Sequence, residues 1–300
     1  MALTSPRFAP EDRLQEVASN SPPMRVGERS RGVHLIQNAL LDLGYEMPVT
    51  TSLEIVDPDG QFGRETERTV RALQEAHGLT VDGVVGRQTM RLLDGFFPRH
   101  SHRVRLHMKA AASNNDPICY VPFDSATEAT KRVFGRYGIR VDYGSSESLV
   151  LTPEEMETFH RIDADCEWEV TEGEMYELHR MGSPVPDGEI VVYFVHRLVR
   201  DSLRGCGGHA PDRPACTVII GAGLWTTAHE VGHVLLTRNF RPVHERHPQN
   251  LMARGGYSLP GIPMLTRAQV AQMKEHPACH ALPGVPMHEA PRTFSPASQF

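Results

Sequence analysis

The chain has 300 residues, of which 40% are hydrophobic and 23% charged, a globular composition long enough to bury a core without covalent staples. Its formal net charge of −6, with no clustered arginines, argues against nucleic-acid binding and against a polybasic membrane patch. The longest apolar stretch, near Ile190–Val195, falls far short of the roughly 20 residues that a membrane-spanning helix needs.

Residues 1–25 carry Pro6, Pro10, Pro22 and Pro23 among scattered serines and read as a flexible leader. Met1–Glu16 places Pro6, Pro10, Glu11 and Asp12 where a secretory signal would carry its apolar segment. The expectation is export without a recognisable signal peptide, unless the chain stays in the cytosol or begins after a processing site. Residues 26–95 then show a compact helical pattern. Val33, Ile36, Leu40 and Leu43 recur at helical spacing until Gly44, a second helix runs from about Thr66 to His77-Gly78, and a third covers about Thr89–Leu93. The last two open alike: Asp59-Gly60-Gln61-Phe62-Gly63-Arg64-Glu65-Thr66 and Asp82-Gly83-Val84-Val85-Gly86-Arg87-Gln88-Thr89 agree at five of eight positions. In each, Asp-Gly makes a tight turn and an apolar residue between the glycines plugs the core. This is an internal repeat of a turn-into-helix unit.

The string from Leu35-Ile36-Gln37 and Leu43-Gly44-Tyr45 through the two Asp-Gly turns, with Gln74 and Gly78-Leu79 between them, resembles the three-helix peptidoglycan-binding domain. The resemblance covers about Arg25–Asp94 and implies a small all-α module that docks on cell-wall glycan peptides.

After Asp94 the periodicity changes. Arg103–Lys109 alternates as a strand, Thr127–Tyr137 reads as a helix, Ile139–Tyr143 as a short strand, and Glu154–His160 and Glu174–Arg180 as helical pieces of an acidic insertion. Ile190–Val195 and Cys216–Ile220 read as strands, a helix opens at about Thr226, and a last helix covers Leu265–Lys274, capped by Thr266. The fold class is therefore α+β: a small helical domain, then a domain over 102–282 with helices packed on a mixed sheet, and a proline-rich tail at 283–300. Of the five cysteines, Cys206 and Cys216 bracket a Gly/Pro-rich loop, where a local disulfide and two free thiols remain open alternatives. Cys119, Cys166 and Cys279 carry no pattern, and no C-x-x-C exists.

The helix after Leu224 contains His229-Glu230-Val231-Gly232-His233. Histidines at i and i+4 project from one helix face, one turn apart, so both imidazoles can reach one metal ion. Glu230 beside them is placed to take a proton from a zinc-bound water, whose pKa the metal lowers to about 7. Downstream, His244 and His247 are candidate third ligands. The segment His244-Glu245-Arg246-His247-Pro248-Gln249-Asn250-Leu251-Met252 resembles the stretch of matrixin-like metzincin peptidases that runs from the third zinc histidine to the Met-turn. That resemblance covers about Val104–Cys279. It makes His229, His233 and His244 the ligands of a Zn2+ ion, with His247 the second choice for the third, Glu230 the catalytic residue and Met252 the methionine packed beneath the metal. One departure stands out: the family brings its third histidine back six residues after the second through a glycine, whereas here Leu236 takes that glycine's place and His244 lies eleven residues after His233. A longer turn over Thr237–Val243 is required. A gluzincin-like site using Glu275 or Glu289 is the rival arrangement, and it leaves the Asn-Leu-Met turn without a role. Tyr257 is a candidate proton donor. Matrixins also carry a cysteine after their helical domain that plugs the zinc; the linker here, Phe97-Pro98-Arg99-His100, has none, and His100 reads as an ordinary linker histidine.

Together these point to a zinc metallopeptidase anchored to peptidoglycan, acting on a peptide in the wall or on an envelope protein in the periplasm or outside the cell. A bacterial effector with an inhibitor or immunity partner fits that design. The alternative is a non-catalytic peptidoglycan-binding protein with a structural metal site.

Overall fold

The computed structural model describes residues 2–51, 58–111, 121–164, 166, 169–200, 202–254 and 261–283. Cys119, Tyr257, Glu289 and, beyond Pro283, the tail lie outside them.

Four helices form the first domain: α1 (Asp12–Ala18), α2 (Arg31–Asp42), α3 (Arg64–Ala76) and α4 (Arg87–Phe96). The first corrects the leader expected at 1–25. Phe8, Leu14, Val17 and Met24 are fully buried in the same core as Leu35, Leu40, Val70 and Leu93. Asp94 of α4 accepts hydrogen bonds from the Thr4 and Ser5 amides at 2.8–3.1 Å, which pins the N-terminal segment. Prolines spaced through a short segment hid an amphipathic helix of only seven residues.

The internal repeat reaches further than its turns. Gln37 of α2 donates to Asp59, to the Gln61 carbonyl and to Thr66, and accepts from the Gly60 amide at 2.9 Å. Gln74 of α3 repeats the scheme with Asp82, the Val84 carbonyl, Thr89 and the Gly83 amide, also at 2.9 Å. One buried amide thus satisfies a whole turn in each copy. Gly60 and Gly83 sit at φ of +68° and +71°, where only glycine is unstrained, while Phe62 and Val85 plug the core beside them.

The second domain holds β1 (His102–Ala110), α5 (Phe123–Phe134), a 3-10 turn at Gly135–Tyr137, β2 (Ile139–Ser148), α6 (Pro153–His160), β3 (Arg161–Ile162), α7 (Gly173–Leu178), β4 (Ile190–Val195), β5 (Arg197–Leu198), β6 (Gly205–Cys206), β7 (Ala215–Ile219), α8 (Thr226–Leu236), α9 (Arg267–Glu275) and β8 (His280–Ala281). The main sheet runs β2-β1-β4-β7-β6, parallel except for the edge strand β6, with β8 antiparallel at the start of β1.

Strand β4 explains its own composition. Ile190, Val192 and Phe194 face α5 and α8, while Val191, Tyr193 and Val195 face the acidic insertion with Phe159, Met175 and Leu178. A strand covered on both faces is apolar without alternation. The insertion therefore forms a layer on the sheet opposite α8. Where it covers β1 the contacts are polar: Lys109 donates to the Met181 and Ser183 carbonyls at 2.9 and 2.6 Å, and His107 lies 2.6 Å from Glu189.

The cysteine reading is corrected by the sheet. Cys206 opposes Thr217, not Cys216, in the β6–β7 pair, so the side chains of Cys206 and Cys216 point to opposite faces. Cys206 bridges instead to Cys166 of the insertion, and Cys216 is a free thiol buried beneath α8.

Candidate metal centre

Helix α8 begins where the chain leaves β7, and every one of its residues is buried. Ala228, Val231, Val234 and Leu235 pack toward the sheet and α9. That leaves 229 and 233 on another face, one turn apart, as i and i+4 positions must be.

His229 Nδ1 donates to the Leu251 carbonyl at 2.7 Å. That bond fixes the tautomer and turns the Nε2 lone pair toward His233. The two Nε2 atoms lie 3.1 Å apart, and His244 completes a trio whose nitrogens all fall within 4.8 Å of one another. Metal–nitrogen bonds of about 2.0–2.1 Å in a tetrahedral arrangement separate their donor atoms by roughly 3.3 Å, so the α8 pair has the spacing such an ion requires. Burial lowers the pKa of all three imidazoles, that of His229 to about 4, which keeps them neutral and able to donate lone pairs at neutral pH. The donor set fits Zn2+, and among the described residues three ligands converge, one fewer than a closed tetrahedral site holds. His247, the other candidate, is exposed and stands outside the trio; its ring accepts from the Gln249 amide.

The return of the chain to His244 takes a longer route than the six-residue spacing. At Thr237, which ends α8, φ is +61° and ψ is 170°, a region that glycine alone visits freely. The chain then loops out and comes back beside Met252, whose carbonyl accepts from the Glu245 amide at 2.9 Å. A Cβ on Gly232 would lie 2.7 Å from the Met252 sulfur, so the glycine between the two histidines is what lets this fully buried methionine pack against α8. The turn carrying it is tied to α9 by side chains the sequence reading gave no role. Asn250 and Gln269 exchange amide hydrogen bonds at 3.0 and 3.3 Å, Asn250 also accepts from the Met252 amide, and Gln269 closes a capping box with Thr266. The Leu251 carbonyl that orients His229 is thus held by the α9 N-terminus.

Glu230 is buried against β6, close to Gly205, and burial pushes its pKa up to about 8. Cys166, Glu169 and Val170 of the insertion flank the same strand. They carry the Cys166–Cys206 disulfide, a parallel bridge from Glu169 to His209 and an ion pair from Glu169 to Arg238. The acidic insertion therefore reaches the rim beside Glu230 as well as the back of the sheet. His100 lies against Gly135 in the linker between domains, outside the histidine trio, and so is no plug. Glu275 ends α9 and is not part of the trio either.

Residues 29–93 match the family of the peptidoglycan binding domain, the stretch that carries the internal repeat. No curated protein matches the chain. Among solved structures, archaemetzincin from Methanopyrus kandleri is similar at a TM-score of 0.36 and 14% identity, over 58% of this chain and 95% of that one. Among the described residues no helix is long and apolar enough to cross a membrane.

Proposed function

We propose that the chain is a zinc-dependent peptidase brought to the cell wall by its N-terminal domain. The observation that carries this reading is the convergence of His229, His233 and His244 around one point, with Glu230 next to His229 on α8 and its carboxylate buried against Gly205. His229, His233 and His244 would hold the ion, which when bound polarises a peptide carbonyl and activates water. Glu230 acts as general base: it takes a proton from the attacking water and passes it to the departing amine nitrogen as the C–N bond breaks and the C–O bond forms. The charge of a bound cation favours ionised Glu230, opposing the burial that raises its pKa. A purely structural zinc site is closed by four protein ligands, whereas among the described residues this one offers three, with Glu230 next to His229 in the sequence. The family match at residues 29–93 supports peptidoglycan as the surface to which the domain docks, raising the local concentration of the catalytic domain there. The work site is then the periplasm or the cell exterior, reached as an effector reaches a neighbouring envelope.

The test is incubation of zinc-loaded protein with isolated peptidoglycan sacculi and with envelope proteins, beside Glu230→Ala. Wild type is expected to release peptide-cleaved products, and the variant to bind zinc equally while losing about 10²–10⁴-fold in rate. Equal activity in both, or none in either against both substrate sets, overturns the reading.

A further inference from the structure

A second concentration of charge lies far from any role in hydrolysis, in the seam between the domains. A cavity of about 200 Å³ opens there, lined from the first domain by Arg7, Leu35 and Asp42 and from the second by Arg136, Arg267 and Lys274. None of its lining residues belongs to the histidine site. Its carboxylates are already committed. Asp42 accepts from Arg7 at 2.7 Å and from Arg267 at 2.5 Å, and Glu11, beside the cavity, accepts from Arg136 at 2.7 Å. Four cations therefore face two carboxylates. The remaining donors are left over: Arg7 Nη1 and Arg136 Nε and Nη1 are buried with no hydrogen-bond acceptor among the described residues, although the Arg7 guanidinium also stacks on the Phe97 ring at 4.0 Å. Arg136 is 2% exposed and Arg7 8%. The Lys274 ammonium makes no hydrogen bond or ion pair among the described residues, and burial together with the charge of Arg7 lowers its pKa, the charge of Asp42 opposing them.

Each of these guanidiniums has one carboxylate partner, but buried N–H groups left without an acceptor are costly, and water would supply them hydrogen bonds without balancing the excess of cations. The space is too small for a large organic ligand, whose pockets begin at about 300 Å³. We propose that this seam is a binding site for a compact dianion, a phosphate or small dicarboxylate group, held by Arg7 and Arg136 from two domains and by Lys274. Guanidinium forks suit the paired oxygens of such a group, and the ammonium adds a point charge at its side. Because the two arginines come from different domains, occupancy locks the domains together.

The experiment uses the full chain in two arms, inorganic phosphate and succinate, each against sodium chloride at equal ionic strength, read by thermal unfolding and by calorimetric titration. One of the dianions is expected to bind saturably and to raise the Tm by about 3 °C or more at a hundred times its Kd, while chloride does not. Which arm responds identifies the group recognised. Lys274→Ala removes a cation that makes no hydrogen bond or ion pair among the described residues, and is expected to weaken binding roughly tenfold or more while the chain stays folded. Absence of any shift beyond that of chloride, or binding that Lys274→Ala leaves unchanged, overturns the site.

Discussion

At the scale of single residues, the proposed third ligand depends on which of two histidines the fold turns inward. Two histidines three positions apart, 244 and 247, carry the same chemistry. What separates them is the pairing of Glu245 with Met252, which swings 244 toward α8 and leaves 247 in solvent. His244→Ala is therefore expected to weaken zinc binding by a factor of 10² or more, because removing one of three imidazoles takes a full coordinate bond, whereas His247→Ala leaves it unchanged. Competition with a chromophoric chelator measures both. Equal loss in the two variants would sink the assignment. The HExxH pair and its glutamate were readable because a helix imposes its own spacing. The Leu251 carbonyl and the Asn250–Gln269 pair were not, because a backbone acceptor has no residue type and an amide pair nineteen residues apart has no local period.

At the scale of elements, most helices and strands of more than five residues were legible from their apolar pattern, the seven-residue α1 being the exception. Strand β4 announced itself by the lack of alternation that burial on both faces requires. The two-residue strands β3, β5, β6 and β8 were not legible: two residues carry no period, and their positions are set by partners distant in the chain. The same is true of the Cys166–Cys206 link, which depends on the face of β6 that Cys206 takes and on where the insertion brings Cys166. The turn after α8 was legible as a problem rather than as a shape. Its solution places Thr237, a β-branched residue, at a φ of +61°. Such a backbone state costs about 1–3 kcal/mol for a residue with a Cβ. Thr237→Gly relieves that cost while loosening the unfolded chain by up to about 1 kcal/mol, so the net expectation is a gain in stability. Thr237→Ala, which keeps the Cβ, is expected to gain nothing. Denaturant midpoints of the two variants decide the matter, and a Gly variant no more stable than Ala would show that the turn is unstrained.

At the scale of the whole molecule, the sequence separated two modules and was silent on how they meet. The seam is built from arginines, an aspartate and a glutamate, residue types that look like ordinary surface until both sides are in place. Burial of histidines is the other property that emerges only when the chain is folded, and it governs acid stability. His34 of the first domain, 3% exposed, donates through Nδ1 to the Pro58 carbonyl at 3.1 Å. Burial lowers its pKa to about 4. His179 is stacked on Tyr193 and bonded to Thr217 at 2.9 Å, and burial brings it to about 3. Both folded values lie below the unfolded value near 6.5. The folded state therefore binds fewer protons than the unfolded state in that window, and stability falls as the pH falls. The contribution is fully present above about pH 6.5 and is lost progressively toward pH 4 for His34 and pH 3 for His179. Each group then contributes about 3 kcal/mol of loss between pH 7 and 4. His179→Asn keeps a polar partner for Thr217 and removes the titration, so its denaturant midpoint should decline less steeply than wild type between pH 6.5 and 4. Comparing the two slopes, rather than wild type alone, subtracts the carboxylates and the metal ligands that titrate in the same range. Parallel slopes would mean that His179 accepts its proton without leaving the core, and that the acid sensitivity of this fold lies elsewhere.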